Sequence, residues 1–190
     1  ININIENFIP NSLSSALASL NHDEKELGSI CIDLGAESTS FCIFENNKLI
    51  FVDGIPVGGK NITSDLARGV STTIESAERL KTLYGSVINS PSDEHEIIEV
   101  PSLGNDNNQF NQINRSLVYS IIKPRIEETL ELVWQKLKDN NFHKKQIRNI
   151  VLTGGGSLME GIDEYAQMIF DSKTRLAFPK PLLGIPNKFV

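Results

Sequence analysis

Ile30-Cys31-Ile32-Asp33-Leu34-Gly35-Ala36-Glu37-Ser38-Thr39 is an apolar run that breaks at Asp33 into small and polar residues. A stretch near the other end has the same form. Ile150-Val151-Leu152 runs into Thr153-Gly154-Gly155-Gly156-Ser157-Leu158-Met159-Glu160-Gly161. A buried strand that ends in such a turn leaves backbone N–H groups pointing into open space. Those amides suit phosphate oxygens, and glycine lets a ligand come close to them. Between the turns, Glu78 and Lys81 form a charge pair at helical spacing. Together these features suggest a nucleotide held across a cleft.

Outward from the first turn, strands are expected at 29–34, 39–45 and 49–57, with a tight hairpin at Asn46-Asn47, since Asn tolerates left-handed backbone angles. Before them, residues 11–20 read as a short helix capped by Asn11 or Ser12, with Leu13, Leu17 and Leu20 on one face; polar residues 21–27 read as a linker. After Gly58-Gly59 the apolar period becomes helical at Ile62, Leu66 and Val70. A further helix is expected from 73 to 84, capped by Thr72 or Thr73 and ended by Gly85. The polar stretch 86–112 holds one strand-like piece, Glu96 to Val100, and 105–111 reads as a mobile loop. Ile113 to Lys138 is the longest helical pattern, which Pro124 either kinks or divides. A strand at 148–153, a helix from about 159 to 171, a short strand at 175–178 and an extended tail, 179–190, complete the order. It implies an α/β fold with an inserted lobe.

Composition excludes several functions. The 190 residues are 39% hydrophobic and 22% charged, ordinary for a soluble globular fold. A net charge of −6 offers no basic face for nucleic acid, the short cluster His143-Lys144-Lys145 with Arg148 reading as a solvated loop. Cys31 and Cys42 sit among apolar residues and read as small buried hydrophobes, without metal-ligand spacing. No signal peptide is expected, and no apolar run near 18 residues is present. His22, His95 and His143 lie in polar segments and make poor catalytic candidates; no catalytic residue is assigned. Residue 1 is Ile, and no folded unit precedes the first strand, so a longer polypeptide is expected.

The candidate chemistry is therefore binding. Asp33, closing a strand before Gly35, can hold a hydrated magnesium ion, because magnesium dehydrates reluctantly. Gly35, Ala36, Ser38 and Thr39 offer amides and hydroxyls to phosphates. Glu78 and Lys81 are either a surface pair or a grip on ribose and base edge. Gly154-Gly155-Gly156-Ser157 is no Walker loop, since no Gly-Lys-Ser/Thr follows, but it permits flat packing of an adenine or close approach of an α-phosphate, with Met159 against the base or in the core.

Taken in order, SLSSALASL (12–20), IDLGAESTSFCIFENNKL (32–49), IPVGGKNITSDLARG (55–69), ESAERLKTLYG (75–85), IIKPRIEETLELV (121–133) and IVLTGGGSLMEGIDEYA (150–166) resemble the actin-like ATPase superfamily and, within it, the FtsA family of bacterial cell-division proteins. The resemblance implies half of an actin-like, ribonuclease H-like ATPase fold. Residues 1–58 and 146–190 would form the lower ATPase subdomain (2A) and 59–145 the inserted lobe (2B). It implies ATP and Mg2+ as cofactors. Asp33, Gly35, Ala36, Glu37, Ser38 and Thr39 would be the second phosphate loop, with Gly58 and Gly59 beside it. Glu78 and Lys81 would be nucleoside contacts, and Gly154, Gly155, Gly156, Ser157 and Met159 the adenosine motif. It also implies partners: the C-terminal tail of FtsZ on the lobe, self-association into filaments, and later division proteins. The expected location is the cytoplasmic face of the inner membrane, reached only through an amphipathic helix that this chain lacks.

The chain departs from the family at Ala36 and Glu37, where the loop usually carries glycines, as in DIGGGTT. Glu37 puts a negative charge near phosphates and is expected to weaken binding. The N-terminal half, with the first phosphate loop, is absent from these 190 residues, so weak ATP binding without hydrolysis is expected of the chain alone. PilM-like pilus-assembly proteins share VGG and AE..K stretches, a sugar or acid kinase shares the same ATPase core, and an α/β interaction domain with degenerate glycine loops is a further alternative.

Overall fold

Alternate residues of β1 (Ser29–Leu34) face opposite sides of a sheet, and both sides are covered. Ile30, Ile32 and Leu34 join the larger apolar core with Phe41 and Ile43 of β2 (Thr39–Glu45). Cys31 turns the other way and joins Cys42, Phe44, Ala16 and Leu20 in a smaller core. In this computed structural model, residues 4–103, 110–143 and 147–179 are described. The expected extended tail beyond Pro179, Lys144 and Lys145 of the basic cluster, and most of the expected 105–111 loop lie outside them.

The main sheet has five strands in the order β3-β2-β1-β6-β7, adding β3 (Lys48–Ile55), β6 (Asn149–Thr153) and β7 (Lys173–Leu176). The first three form the expected antiparallel meander, turning at Asn46 and Asn47 with φ of 52° and 59°, the left-handed pair that a two-residue hairpin needs. β1 runs parallel to β6, and β6 parallel to β7. The chain must therefore cross over between β1 and β6, and the inserted segment makes that crossover.

α1 (Asn11–Ser19) covers the cysteine side of the sheet. It buries Ser12, Ala16 and Ser19 with Leu20, whereas Leu17 is 55% exposed, contrary to the expected leucine face. Small side chains let the helix backbone approach the sheet, as shown by the Cys42 thiol 3.3 Å from the Ser12 carbonyl. Nor does Asn11 or Ser12 cap it: the N-cap is Pro10, without a side-chain bond.

The opposite side is covered by α3 (Gly59–Gly69), α5 (Arg115–Asp139) and α6 (Ile162–Phe170), with α4 (Ile74–Tyr84) against α3. Thr73 caps α4 by accepting the Ser76 N–H. α5 is a single helix through Pro124, which lies on its exposed side, while Ile122, Ile126, Leu130, Val133 and Leu137 are buried. Arg125 on α5 donates to Asp65 on α3 at 2.6 Å, tying the two helices.

Three elements differ from expectation. The polar stretch after Leu20 contains α2 (His22–Leu27), closed by a capping box in which Asn21 and Glu24 exchange side chain-to-backbone bonds of 2.8 Å. β4 (Ile97–Pro101) pairs with β5 (Phe110–Asn114), in place of the expected loop end and start of the long helix. The helix after β6 begins only at Ile162, preceded by a 3-10 turn over Gly155–Leu158.

Candidate functional site

The parallel register of β1 and β6 sets Asp33 opposite Thr153, so both glycine turns leave the sheet side by side at the carboxyl ends of neighbouring parallel strands. Open α/β sheets place ligands at that edge. The contact between the turns demands glycine. A Cβ on Gly154, whose φ is +85°, would stand 2.3 Å from Asp33 Oδ1 and 2.7 Å from the Leu34 carbonyl oxygen; one on Gly156 would stand 2.9 Å from Leu34 Cβ. Gly155 differs. A Cβ there would have nothing within 4 Å, because it faces the cleft.

That cleft has a volume of about 290 Å³ and is walled by Gly35, Ala36, Gly59, Glu78, Lys81, Gly155, Gly156 and Met159, with Ile62 and Leu158 supplying further apolar surface. Residues from four separated stretches of sequence therefore share one hollow. Asp33 opens into an adjoining hollow of about 360 Å³ with Thr153, Gly154 and Ser157. Its Oδ2 accepts the Ser15 hydroxyl of α1 at 2.6 Å, which fixes the carboxylate while leaving lone pairs for a hydrated cation.

Several expected ligand groups are committed to the frame instead. Thr39 is fully buried and its hydroxyl donates to the Val57 carbonyl at 2.9 Å. Gly58 N–H donates to Asn61 Oδ1, and the amides of Gly59 and Lys60 donate to the carbonyls of Gly35 and Ala36 at 2.9 and 2.7 Å. A Cβ on Gly58 would fall 2.7 Å from both those carbonyls. The Gly58-Gly59 pair thus docks the start of α3 onto the first turn. Ser157 is likewise turned inward, its hydroxyl donating to the Gly154 carbonyl at 2.7 Å. The amides of Ala36, Glu37 and Gly155 have no hydrogen-bond partner among the described residues.

Glu37 projects into solvent and is paired with Lys60 at the start of α3. The hydrogen bond from Lys60, with its charge, holds the Glu37 carboxyl below its usual range. The negative charge expected to oppose phosphate is thus countered by a cation from the neighbouring element.

Glu78 and Lys81 lie three residues apart on α4, pair with each other, and both line the cleft. The Lys81 ammonium donates to Glu78 Oε2 at 2.7 Å, Thr63 Oγ1 at 2.9 Å and the Gly59 carbonyl at 3.2 Å. Burial alone would raise the Glu78 pKa, but the bonds from Lys81 and Thr63 outweigh it and hold the carboxyl below its usual range. Thr63, Lys60 and Ser15, which bond to Glu78, Glu37 and Asp33, are partners that sequence reasoning does not find. Helical spacing places Thr63 four residues after Gly59, on the buried side of α3, but nothing in one dimension aims it at α4. The histidines line neither hollow, and no metal-binding cluster of His, Cys, Asp or Glu occurs among the described residues. Burial pushes the Cys42 thiol up to about 12 and raises that of Cys31 further, as expected of inert core thiols.

The strand order and the inserted helical segment define an actin-like ATPase fold. MreB5 of Spiroplasma citri bound to ADP superposes with a TM-score of 0.71 at 20% identity, over 88% of this chain and 54% of that one. The PilM-PilN type IV pilus biogenesis complex gives 0.59 at 20% identity, over 87% of this chain and 38% of that one. These are likenesses of fold. The sequence model of the family described as cell division protein FtsA matches residues 30–188, and the chain belongs to that family. It is 40% identical to cell division protein FtsA of Agrobacterium fabrum over 185 residues, and 31% identical to that of Helicobacter pylori over 193. Those matches cover 97% and 98% of this chain but 42% and 38% of the relatives, so the chain spans about two-fifths of the proteins it matches.

Proposed function

We propose that this chain forms one wall of an ATP site in an actin-like cell-division protein. The observation that carries the reading is the 290 Å³ cleft, in which the Gly35-Ala36 turn, the Gly155-Gly156 turn and the Glu78–Lys81 pair converge. The donor set suits a nucleotide. The amides of Ala36, Glu37 and Gly155, without a partner among the described residues, fit phosphate oxygens, the Glu78 carboxylate fits hydroxyl donors, and Met159 with Leu158 offers an apolar surface for a base. Asp33, held by Ser15, is the candidate for a magnesium ion retained through water, which would neutralise phosphate charge. MreB5, which shares the fold and is bound to ADP, supports the nucleotide assignment by analogy.

The family context extends the reading. Docking of an FtsZ C-terminal tail on the 59–145 lobe, filament formation, recruitment of later division proteins and attachment to the inner membrane through a separate amphipathic helix are proposed for the whole protein. Among the described residues, no helix is long and apolar enough to cross a membrane. The decisive experiment is an NMR titration of the chain with ATP and magnesium. Shifts at Ala36, Gly155, Glu78 and Lys81, weakened when Asp33→Ala removes the magnesium contribution, are expected. Binding unaffected by Asp33→Ala would discard the magnesium role, and no shifts at millimolar ATP would discard the site. In parallel, a well-folded chain that ignores an FtsZ tail peptide would count against the docking assignment.

A further inference from the structure

Lys81 lies in the cleft, and its ammonium is engaged by three acceptors of the protein. An ammonium carries three donors, and those of Lys81 go to Glu78 Oε2, Thr63 Oγ1 and the Gly59 carbonyl. The Thr63 hydroxyl stands 2.5 Å from the same Glu78 oxygen and 3.0 Å from the Gly59 carbonyl. Thr63 is 3% exposed and lines neither hollow, whereas the Glu78 side chain is 52% exposed. Glu78 Oε1 has no partner among the described residues. This end of the cleft therefore presents a carboxylate acceptor to an incoming molecule, with the Lys81 cation bonded to that acceptor.

We propose that Thr63 is a positioning residue for the nucleoside end of the site, accepting from Lys81 while donating to Glu78, so that Glu78 Oε1 is aimed at ligand hydroxyl groups. The inference rests on the nucleotide reading above and deepens it. A fixed carboxylate rewards a hydroxyl donor and is left unpaired by an analogue that lacks one, so discrimination should be concentrated on the sugar. Without the Thr63 hydroxyl, one Lys81 donor is left unpaired in a confined space, and the carboxylate loses a bond to the oxygen that anchors it.

The test uses the 190-residue chain with Thr63→Val, which keeps shape and removes the hydroxyl, and Thr63→Ser, which keeps the hydroxyl. Affinities for ATP, 2′-deoxy-ATP and 3′-deoxy-ATP are read by NMR titration, and folding by thermal melting. Wild-type chain should prefer ATP over at least one deoxy analogue. Thr63→Val should weaken ATP binding about tenfold and bring that preference close to unity, while Thr63→Ser stays within about twofold of wild type. In the absence of nucleotide, the Glu78 carboxyl should titrate at higher pH in Thr63→Val than in wild type. Undiminished ATP affinity and sugar preference in a folded Thr63→Val would overturn the assignment. So would an equal loss in Thr63→Ser, the informative variant should valine prevent folding. A wild-type chain that binds no ATP would overturn the nucleotide reading itself, and Thr63 with it. Wild type alone thus separates the two failures.

Discussion

At the residue scale, three successive glycines do different jobs. Gly154 and Gly156 are demanded by the protein, because a side chain at either would strike the Asp33-Leu34 segment, and Gly154 also holds a positive φ. Gly155 faces open space. Gly154→Ala should therefore cost more than about 1 kcal/mol in urea unfolding, while Gly155→Ala stays within about 0.5 kcal/mol yet weakens nucleotide binding. Equal effects on stability would contradict the division. Glu78 supplies a second prediction. Its folded pKa is lowered, so its pair contributes stability in full above the unfolded value of about 4.3, and that contribution is lost as pH falls through the folded value. The difference in melting temperature between wild type and Glu78→Gln should be present at neutral pH and shrink as pH falls below the usual carboxylate range. Half-exposure and solvent screening keep it below about 1 kcal/mol.

At the scale of elements, legibility follows pattern strength. β1, β2, α4 and α5 are readable because apolar periodicity and turn residues agree along the chain. α2 reads as linker although Asn21-His22-Asp23-Glu24 carries a capping-box spacing, since so polar a stretch has no apolar face to announce a helix. β5 is obscure for a different reason: Phe-Asn-Gln-Ile-Asn has little strand propensity and is held by pairing with β4. In α5, Leu130 is fully buried in the core shared by the inserted segment and the sheet. Leu130→Ala should lower unfolding free energy by about 2–5 kcal/mol in one cooperative transition. Separate transitions for sheet and insertion would show that this core does not couple them.

For the whole molecule, the proposed reading gives this chain one wall of the nucleotide site. The chain spans 42% of its Agrobacterium relative, and the groups that line its cleft are those of this portion alone. Calorimetric titration should give an ATP affinity at least about tenfold weaker for the chain than for that full-length relative, since fewer groups exclude water and hold the phosphates. Comparable affinities would mean that the groups described above suffice by themselves. Sequence by itself determined which segments would be most of the strands and helices, that glycine turns would end two of them, and that the chain resembles one family, because these depend on local pattern and residue order. Only the tertiary structure decided that β1 and β6 lie parallel with Asp33 beside Gly154, that Lys60 answers Glu37, and that Thr63 stands behind Glu78 and Lys81. Those facts join residues far apart along the chain through sheet register and helix packing, and no local pattern encodes such a contact.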